Sequence, residues 1–294
     1  MAADCADNGD AGQASCPRAA LLPSYNFVTG GYRRCAIPMC TLAIFLRVFP
    51  EFPVVVAANR DEYLARPAVA PTVLCEDPLV IGGKDLRAGG TWLAINQFGM
   101  IAGLLNRRSD LPADPDRRSR GLLCLDALRH RSVEQALRFV AAQDPERYNP
   151  FNLLLASREQ AAVAHNRMGR IETTMLSAGT HLLTNLDVND FECPKISRSF
   201  GKFASLAAER GLASDPPRMR ERLAELLSDH STQLDARTGR PNSLCLHLGD
   251  YGTRESSLIF VDASGSIEHY FAPGPPCTTA YAPASAPEVN GART

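Results

Sequence analysis

Short apolar segments bounded by turn residues recur from residue 40 onwards, and they constrain the fold more than any other feature of this chain. Cys40–Phe49 predicts a strand, 50–53 a turn rich in proline, and Val54–Ala58 a second, buried strand. The two strands form a hairpin, and the polar residues Asn59, Arg60, Asp61 and Glu62 follow at its far end.

The same criteria predict further strands, helices and loops along the chain. Strands are predicted at Thr91–Asn96, Met100–Asn106, Phe151–Ala156, Ala161–Asn166, Ile171–Leu176, Thr180–Asn185, Ser256–Asp262 and Ser266–Phe271. Helices are predicted at Gly121–His130, Ser132–Gln143, Pro194–Arg210 and Arg218–His230. Strands, then helices, then strands predict an α+β fold in which helices cover antiparallel sheets.

Composition divides the chain into three parts. Residues 1–38 mix Ala, Gly, Asp and Asn without a helical or strand period, which predicts a disordered extension or a mis-assigned start. Residues 39–272 carry all the predicted elements and form one domain. Residues 273–294 are rich in Pro and Ala, which predicts a disordered tail.

Bulk composition excludes several classes of function. A formal net charge of −1 provides no basic surface for nucleic acid, and the apolar runs are too short to span a bilayer. The nine cysteines include no C-x-x-C pair, so we predict neither a zinc site nor a disulfide framework. Free thiols and the lack of a secretory signal predict a cytoplasmic protein. The oligomeric state is left open.

Cys40 directly follows Met39, so translation from Met39 and removal of that methionine would leave Cys40 at the N-terminus. Its α-amine, with a pKa of about 8, could then act as the base for its own thiol. This is the arrangement of an N-terminal nucleophile. A buried strand cysteine without a chemical role is the alternative.

Polar residues at the ends of apolar strands are the other candidates. Arg60 could stabilise the Cys40 thiolate and bind a substrate carboxylate, and Asp61 could orient the α-amine. The carboxamides of Asn106 and Asn185 could donate to a developing oxyanion. For each of these residues, and for Arg254, an ordinary solvated strand end or loop remains the alternative.

Other chemistries lack a signal in this sequence. The six histidines show no metal-ligand spacing, so no metal site is predicted. No serine lies in a G-x-S-x-G motif, and the glycine pairs at 82–83 and 89–90 lack a nucleotide-binding pattern. We interpret the glycine pairs as backbone requirements near the site.

Six segments, in order from Met39 to about residue 272, resemble the NRDE family, the family of transport and Golgi organisation protein 2. They are Met39-Cys40, Ala58–Glu62, Gly89–Leu93, Tyr148–Asn152, Leu183–Asn185 and Tyr251–Arg254. The resemblance implies that Asn59, Glu62, Trp92 and Arg254 contribute to substrate binding. It also implies haem trafficking or the handling of lipid or acyl-CoA. Ala94 and Leu105 depart from the family pattern, which often has Gly and Thr there.

A more distant resemblance is to N-terminal-nucleophile amide hydrolases of the bile-salt hydrolase and penicillin V acylase group. It rests on Met39-Cys-Thr41, on Arg60 and Asp61 after the second strand, and on the strands that end at Asn106 and Asn185. It implies a four-layer αββα sandwich of two antiparallel sheets covered by helices.

Two hypotheses follow for the function. In the first, Cys40 is the nucleophile of a cysteine hydrolase that cleaves a small acyl amide, without a cofactor. Asn106 and Asn185 stabilise the oxyanion and Arg60 positions the substrate. In the second, the same pocket is a non-catalytic carrier site for haem, acyl-CoA or another amphipathic acid, and Arg60 pairs with the carboxylate of the ligand.

Overall fold

A computed structural model describes residues 40–109, 112–167, 169–232 and 242–289. The strands are β1 Thr41–Leu46, β2 Val54–Tyr63, β3 Ala68–Glu76, β4 Leu79–Asp85, β5 Leu93–Asn96, β6 Ile101–Asn106, β7 Phe151–Ala156, β8 Ala161–Arg167, β9 Arg170–Leu176, β10 Gly179–Leu183, β11 His247–Leu248, β12 Tyr251–Val261, β13 Ile267–Ala272 and β14 Ala282–Ala284. The α-helices are α1 Arg120–Ala127, α2 Val133–Ala141, α3 Pro194–Ala207 and α4 Pro216–Leu227, with a 3-10 turn at Pro145–Arg147.

Two seven-stranded antiparallel sheets organise the domain. Sheet 1 has the order β10-β1-β2-β12-β13-β14, and β11 pairs with β12. Sheet 2 runs in sequence order from β3 to β9. The strand that carries Cys40 at its start, β1, is therefore flanked by β2 on one side and by β10 on the other.

Three apolar cores show that the layers are helix, sheet, sheet and helix. The first core packs sheet 1 against α3 and α4, for example Phe45 against Phe203. The second lies between the sheets and includes Ile44 and Ile101. The third packs sheet 2 against α1 and α2. The expected four-layer αββα sandwich is confirmed by this layering.

Strand alternation in β2 distributes its residues between two layers. Val54, Val56 and Ala58 belong to the core between the sheets, whereas Val55 and Ala57 belong to the core beneath α3 and α4. β2 is longer than the sequence predicts and runs to Tyr63, because its polar end pairs with β12 throughout. The polar motif is thus part of the sheet, and is not a solvated strand end.

Two other segments differ from the expectation. β3 and β4 form a hairpin in a segment where the sequence predicts no strand, and Pro71 is tolerated because β3 is an edge strand with irregular pairing. Residues 273–289, expected to be disordered, carry β14, which pairs with β13, and Tyr281, which hydrogen-bonds Ser256. The extension 1–38 and the last residues of the tail lie outside the described residues.

The longest α-helix described, α3, has 14 residues. None of the helices in the described ranges combines the length and apolar character that a bilayer crossing requires.

Candidate active site

Strand register aligns four polar or reactive residues across sheet 1, two of them just beyond the ends of their strands. Thr41 pairs with Asn59 and Leu42 with Leu183, so continuing both registers sets Cys40 between Arg60 and Asn185. Arg60 in turn pairs with Glu255 of β12. Residues in one row across a sheet face the same side. We call Asn185, Cys40, Arg60 and Glu255 the Cys40 row, and alternation directs it towards sheet 2.

A β-bulge in β12 lets this strand serve both faces of the sheet. Thr253 pairs with Asp61 and Glu255 pairs with Arg60, which leaves Arg254 as the extra residue. The side chains of Asp61 and Arg60 face opposite sides of β2, whereas residues two apart on a regular strand face the same side. Without the bulge, Thr253 and Glu255 could therefore not face Asp61 and Arg60, respectively. The bulge therefore supplies a hydroxyl to Asp61 on one face and a carboxylate to Arg60 on the other.

Arg60 is buried among three carboxylates. Its guanidinium lies 3.6 Å from Asp85 Oδ2, 3.6 Å from Glu255 Oε1 and 4.0 Å from Glu62 Oε2. Its side chain is only 7% exposed, and Nη1 has no hydrogen-bond partner among the described residues. A buried donor without an acceptor is costly, so this nitrogen is suited to bind an acceptor on a ligand.

Glu255 connects the predicted residues Trp92 and Arg254 to the Cys40 row, although sequence reasoning did not select it. Trp92 Nε1 donates to Glu255 Oε1 at 2.6 Å, and Arg254 Nη1 donates to Oε2 at 3.0 Å. Trp92 and Arg254 thus orient Glu255, and through it Arg60. The available signal was an acidic residue between Arg254 and the apolar strand, where its burial needs paired partners.

Beneath the row, Asp61 and Lys195 form a buried ion pair. Lys195 Nζ lies 3.5 Å from Asp61 Oδ2 and 3.0 Å from Thr41 Oγ1, and Thr253 donates to Asp61 Oδ1 at 2.7 Å. Burial raises the pKa of Asp61 to about 6, while Lys195 and Thr253 oppose that rise.

Sequence reasoning missed Lys195. The available signal was a lysine in the first turn of α3, on the face it shares with Ser199, Phe203 and Leu206. A lysine on a buried face needs a charged partner, and here that partner is Asp61. The pair ties α3 to the β2 end that carries the motif.

The thiol of Cys40 is half-buried against the backbone of Asp61. Asp61 N–H donates to Sγ at 3.3 Å, and the thiol lies 3.5 Å from Asp61 O. Burial is the largest cause and the Asp61 carboxylate the second, and together they raise the pKa of Cys40 to about 12. The charges of Arg60 and Lys195 lower this pKa. In the chain that continues upstream of Cys40, the thiol is therefore protonated near neutral pH.

The charged side chains that interact around Cys40 comprise five cations and four carboxylates. The cluster therefore has one surplus positive charge. The cations are Arg60, Arg66, Arg120, Lys195 and Arg254, and the carboxylates are Asp61, Glu62, Asp85 and Glu255. Burial lowers the pKa of Arg120 to about 10, which leaves it charged at neutral pH. A thiolate or a ligand carboxylate would neutralise the surplus.

The glycine pair at 89–90 positions Arg120. A side chain on Gly90 would meet the backbone carbon of Gly121 at 2.2 Å, and Gly89 adopts a φ of +73°. Only glycine allows this turn and the close approach of α1 to the strand. The backbone requirement predicted for this pair is therefore present.

Asn185 is held in the row by Asn152, another residue that sequence reasoning did not select. Asn152 Nδ2 donates to Thr184 O at 2.8 Å and to Leu186 O at 2.6 Å, the carbonyls on either side of Asn185. Asn152 Oδ1 in turn accepts a hydrogen bond from Arg107 Nη1 and contacts His165 Nδ1. The Asn185 side-chain oxygen is buried and has no partner in the described ranges.

The remaining predicted residues lie elsewhere. Asn106 ends β6 in phase with Ala102 and Leu104, which pack towards the outer helices, and it is exposed. The Asn59 carboxamide donates to Leu227 O and Leu244 O in the helix-facing layer. Glu62 reaches Arg60 and Arg66 at the edge of the row. Among the predicted residues, Arg60 and Glu62 thus contact each other next to Cys40, and Asn185 is aligned with Cys40 by strand register. Asn59 and Asn106 lie apart from them.

Comparisons with known proteins identify relatives along most of the chain. Residues 39–271 match the family model described as Transport and Golgi organisation 2. The Bos taurus Transport and Golgi organization protein 2 homolog is 32% identical over 239 residues, which cover 74% of this chain and 84% of the relative. The Homo sapiens homolog is 27% identical over 237 residues, with the same shares covered.

Solved structures with a similar chain path include an acid amidase ortholog and a conjugated bile acid hydrolase. The Caenorhabditis elegans N-acylethanolamine-hydrolyzing acid amidase ortholog has a TM-score of 0.49 and 12% identity, over 75% of this chain and 92% of that one. A variant of the conjugated bile acid hydrolase from Clostridium perfringens has a TM-score of 0.49 and 10% identity, over 85% of this chain and 98% of that one.

Proposed function

This chain belongs to the Transport and Golgi organisation 2 family, and we propose that it is a cysteine amide hydrolase in which Cys40 acts as the N-terminal nucleophile. The substrate is a small acyl amide that carries an anionic or polar acyl group. The observation that carries the proposal is the Cys40 row, in which the strand registers, continued past the ends of β1 and β10, set Cys40 between Arg60 and Asn185.

The proposal requires a free α-amine on Cys40. The family match begins at residue 39, which supports a functional N-terminus at Met39-Cys40. With the peptide bond to Met39 intact, the pKa of Cys40 is raised to about 12 and the thiol is unreactive. Freeing the amine provides a base within one residue of the thiol.

The proposed reaction divides into two steps. The Cys40 α-amine accepts the thiol proton while sulfur attacks the amide carbonyl, and the Asn185 carboxamide stabilises the oxyanion. The C–N bond then breaks, the α-ammonium returns the proton to the leaving amine, and a thioester remains. Water, deprotonated by the same amine, hydrolyses the thioester to the acid. Arg60 binds the acyl group, and Asp61 with Lys195 fixes the β2 backbone that contacts the sulfur.

A carrier of haem or acyl-CoA is the second candidate. It is favoured by the surplus positive charge and by Arg60 Nη1, since both suit a ligand carboxylate or phosphate without any free amine. A reducing, cytoplasmic location remains part of the proposal. Five described cysteines are free thiols, which supports it, whereas Cys193 takes part in a disulfide, which opposes it.

The test uses protein expressed from Met39 beside the full chain. Intact mass establishes whether Cys40 is the first residue. Alkylation near pH 6.5 then compares Cys40 with Cys75, a half-buried thiol in the edge strand β3. The hydrolase proposal expects Cys40 to react faster than Cys75 in the Met39-start protein and to be slow in the full chain. Equal rates in the Met39-start protein would contradict it.

Function is then assayed with a panel of acyl amides and by titration with haem and acyl-CoA. For a hydrolase, Cys40→Ala abolishes turnover but retains binding, while Cys75→Ala changes neither. Arg60→Ala removes a charge-assisted contact of about 1.5–3 kcal/mol, hence roughly 10- to 150-fold in affinity, and the exposed Arg87→Ala is its control. No turnover by the Cys40-first protein, together with ligand binding that only Arg60→Ala weakens, would establish the carrier instead.

A further inference from the structure

Four potential metal ligands converge near the end of α4, outside the Cys40 row. His230, Cys245, His247 and Cys277 place one ligand atom each within 4.8 Å of all the others. We call these four residues the His/Cys cluster. Four of the six distances among these atoms are 3.6 Å between the two sulfurs, 3.1 Å between the two Nε2 atoms, and 3.7 and 3.2 Å from His247 Nε2 to the sulfurs of Cys245 and Cys277.

We propose that the His/Cys cluster is a tetrahedral zinc site. Zinc binds thiolates at about 2.3 Å and imidazoles at about 2.0–2.1 Å, so its tetrahedron has edges of roughly 3.8 Å for S–S, 3.6 Å for S–N and 3.4 Å for N–N. Each of the four edges above lies within about 0.4 Å of these lengths. The two remaining edges, from His230 to the sulfurs, are at most 4.8 Å, so a movement of His230 towards the thiols would centre the four atoms on one ion.

The donor set indicates which metal binds and what it does there. Two thiolates and two imidazoles favour zinc over the harder cations that prefer oxygen ligands. Haem iron does not fit, because the porphyrin occupies four of its coordination positions. All four positions are filled by the protein, and this is the arrangement of a structural site. The exposed His230 and His247 rings give the ion a path from solvent.

The sequence predicts no metal site, and the structure shows why the spacing was uninformative. The ligands come from the segment after α4, from the loop and first residue of β11, and from a turn after β13. The set includes neither a C-x₂-C nor an H-x₃₋₅-H pair, and a long interval separates His247 from Cys277. Cys277 also lies beyond residue 271, where the family match ends.

The ion would hold together elements that support the Cys40 row. Leu246, between two of the ligands, donates its N–H to Thr253 Oγ1 at 2.9 Å and accepts from Thr253 N at 2.9 Å. The Thr253 hydroxyl donates to Asp61 Oδ1. A zinc ion therefore fixes the loop that orients Asp61. The zinc proposal stands apart from the hydrolase proposal, since the metal carries no step of that reaction.

The experiment measures metal in the full chain, purified under reducing conditions without added chelator. Elemental analysis is expected to find about one zinc ion per chain. The double variant Cys245→Ser, Cys277→Ser should lose it, while Cys75→Ser keeps it. After exchange for Co²⁺, the protein should show the intense visible absorption of tetrahedral cobalt and a thiolate-to-cobalt charge-transfer band, and the double variant should show neither.

If the double variant fails to fold, the unaltered chain provides the decisive readout. Chelation should then make two protected thiols, identified by peptide mapping as Cys245 and Cys277, open to alkylation. If the purified protein contains a Cys245–Cys277 disulfide, it is reduced before the titration. The proposal then requires the reduced chain to bind Co²⁺. A reduced chain that binds neither Zn²⁺ nor Co²⁺ overturns the proposal, as does a folded double variant that retains the metal.

Discussion

The Cys40 row and the His/Cys cluster bring reactive side chains together in different ways. The row lies at the adjacent ends of four neighbouring strands of sheet 1, with its charges buried and mostly paired. The cluster joins three distant segments near the surface, and two of its four members are exposed. Strand pairing fixes the neighbours in a row, whereas a cluster of loop residues depends on an added bond to hold it. Stability in the first should depend on buried charges, and in the second on the ion.

The largest effect tests the buried charge beneath the row. Lys195→Met leaves Asp61 as a buried carboxylate without its lysine, and breaking such a pair costs about 3–5 kcal/mol. The free energy of unfolding in urea measures the loss. Lys202→Met removes an exposed ammonium beside Asp229 and should cost less than about 1 kcal/mol.

The pH dependence sharpens this prediction. Loss of Lys195 removes a charge that lowers the pKa of Asp61, so that pKa rises above its value of about 6. A carboxyl whose folded pKa exceeds its unfolded value binds the extra proton in the folded state, so stability falls as pH rises between those values. The cost of Lys195→Met should therefore be greater at pH 8 than at pH 5. Equal costs would mean that Asp61 does not carry the charge.

The second prediction concerns the oxyanion side of the row. Asn152→Leu leaves the carbonyls of Thr184 and Leu186 without their donor, which costs roughly 2–4 kcal/mol in unfolding free energy. Asn149→Leu, three residues away, is the matched control, because it also removes two hydrogen bonds, but ones to Asp114 at the surface. If Asn152 positions Asn185, folded Asn152→Asp should lower kcat more than it raises KM. Equal effects of the changes at 149 and 152 on stability would refute the role.

A third effect comes from a buried neutral histidine beside Asn152. Burial lowers the pKa of His165 to about 4, whereas an unfolded histidine titrates near 6.5. The unfolded state thus binds more protons between these values, so stability falls as pH decreases through this window. Acidification from pH 7.5 to 5 should cost about 2 kcal/mol at this site. In His165→Gln the fall should be smaller by that amount, and in His130→Gln it should persist.

The smallest effect tests whether the two regions are coupled. Thr253→Val removes the hydroxyl that joins Leu246 to Asp61, and should cost about 1–2 kcal/mol. The pKa of Asp61 should also rise, since this hydrogen bond lowers it. Thr253→Ser, which keeps the hydroxyl, should restore both. Chelation and Thr253→Val should then act non-additively. Additive effects would separate the Cys40 row from the His/Cys cluster.

Much of the site could be predicted because it follows short apolar strands. Arg60 and Asp61 follow such a strand directly, and antiparallel pairing must return that end to Cys40. Asn185 was predicted by the same reasoning on β10. Asn106 shows its limit, because a strand end alone does not give the face on which the side chain lies. Glu255 and Lys195 need the bulge in β12 and the docking of α3, which no local pattern encodes.

The sequence by itself determined the order of the helices and of most strands, the alternation that builds three apolar cores, and the polar strand ends near Cys40, Arg60 and Asn185. These are local properties, set by side-chain period and turn chemistry. Only the tertiary structure decided that Lys195 neutralises Asp61 and that Cys277 meets Cys245. Such contacts join residues far apart in the chain, and the packing of whole layers determines which of them meet.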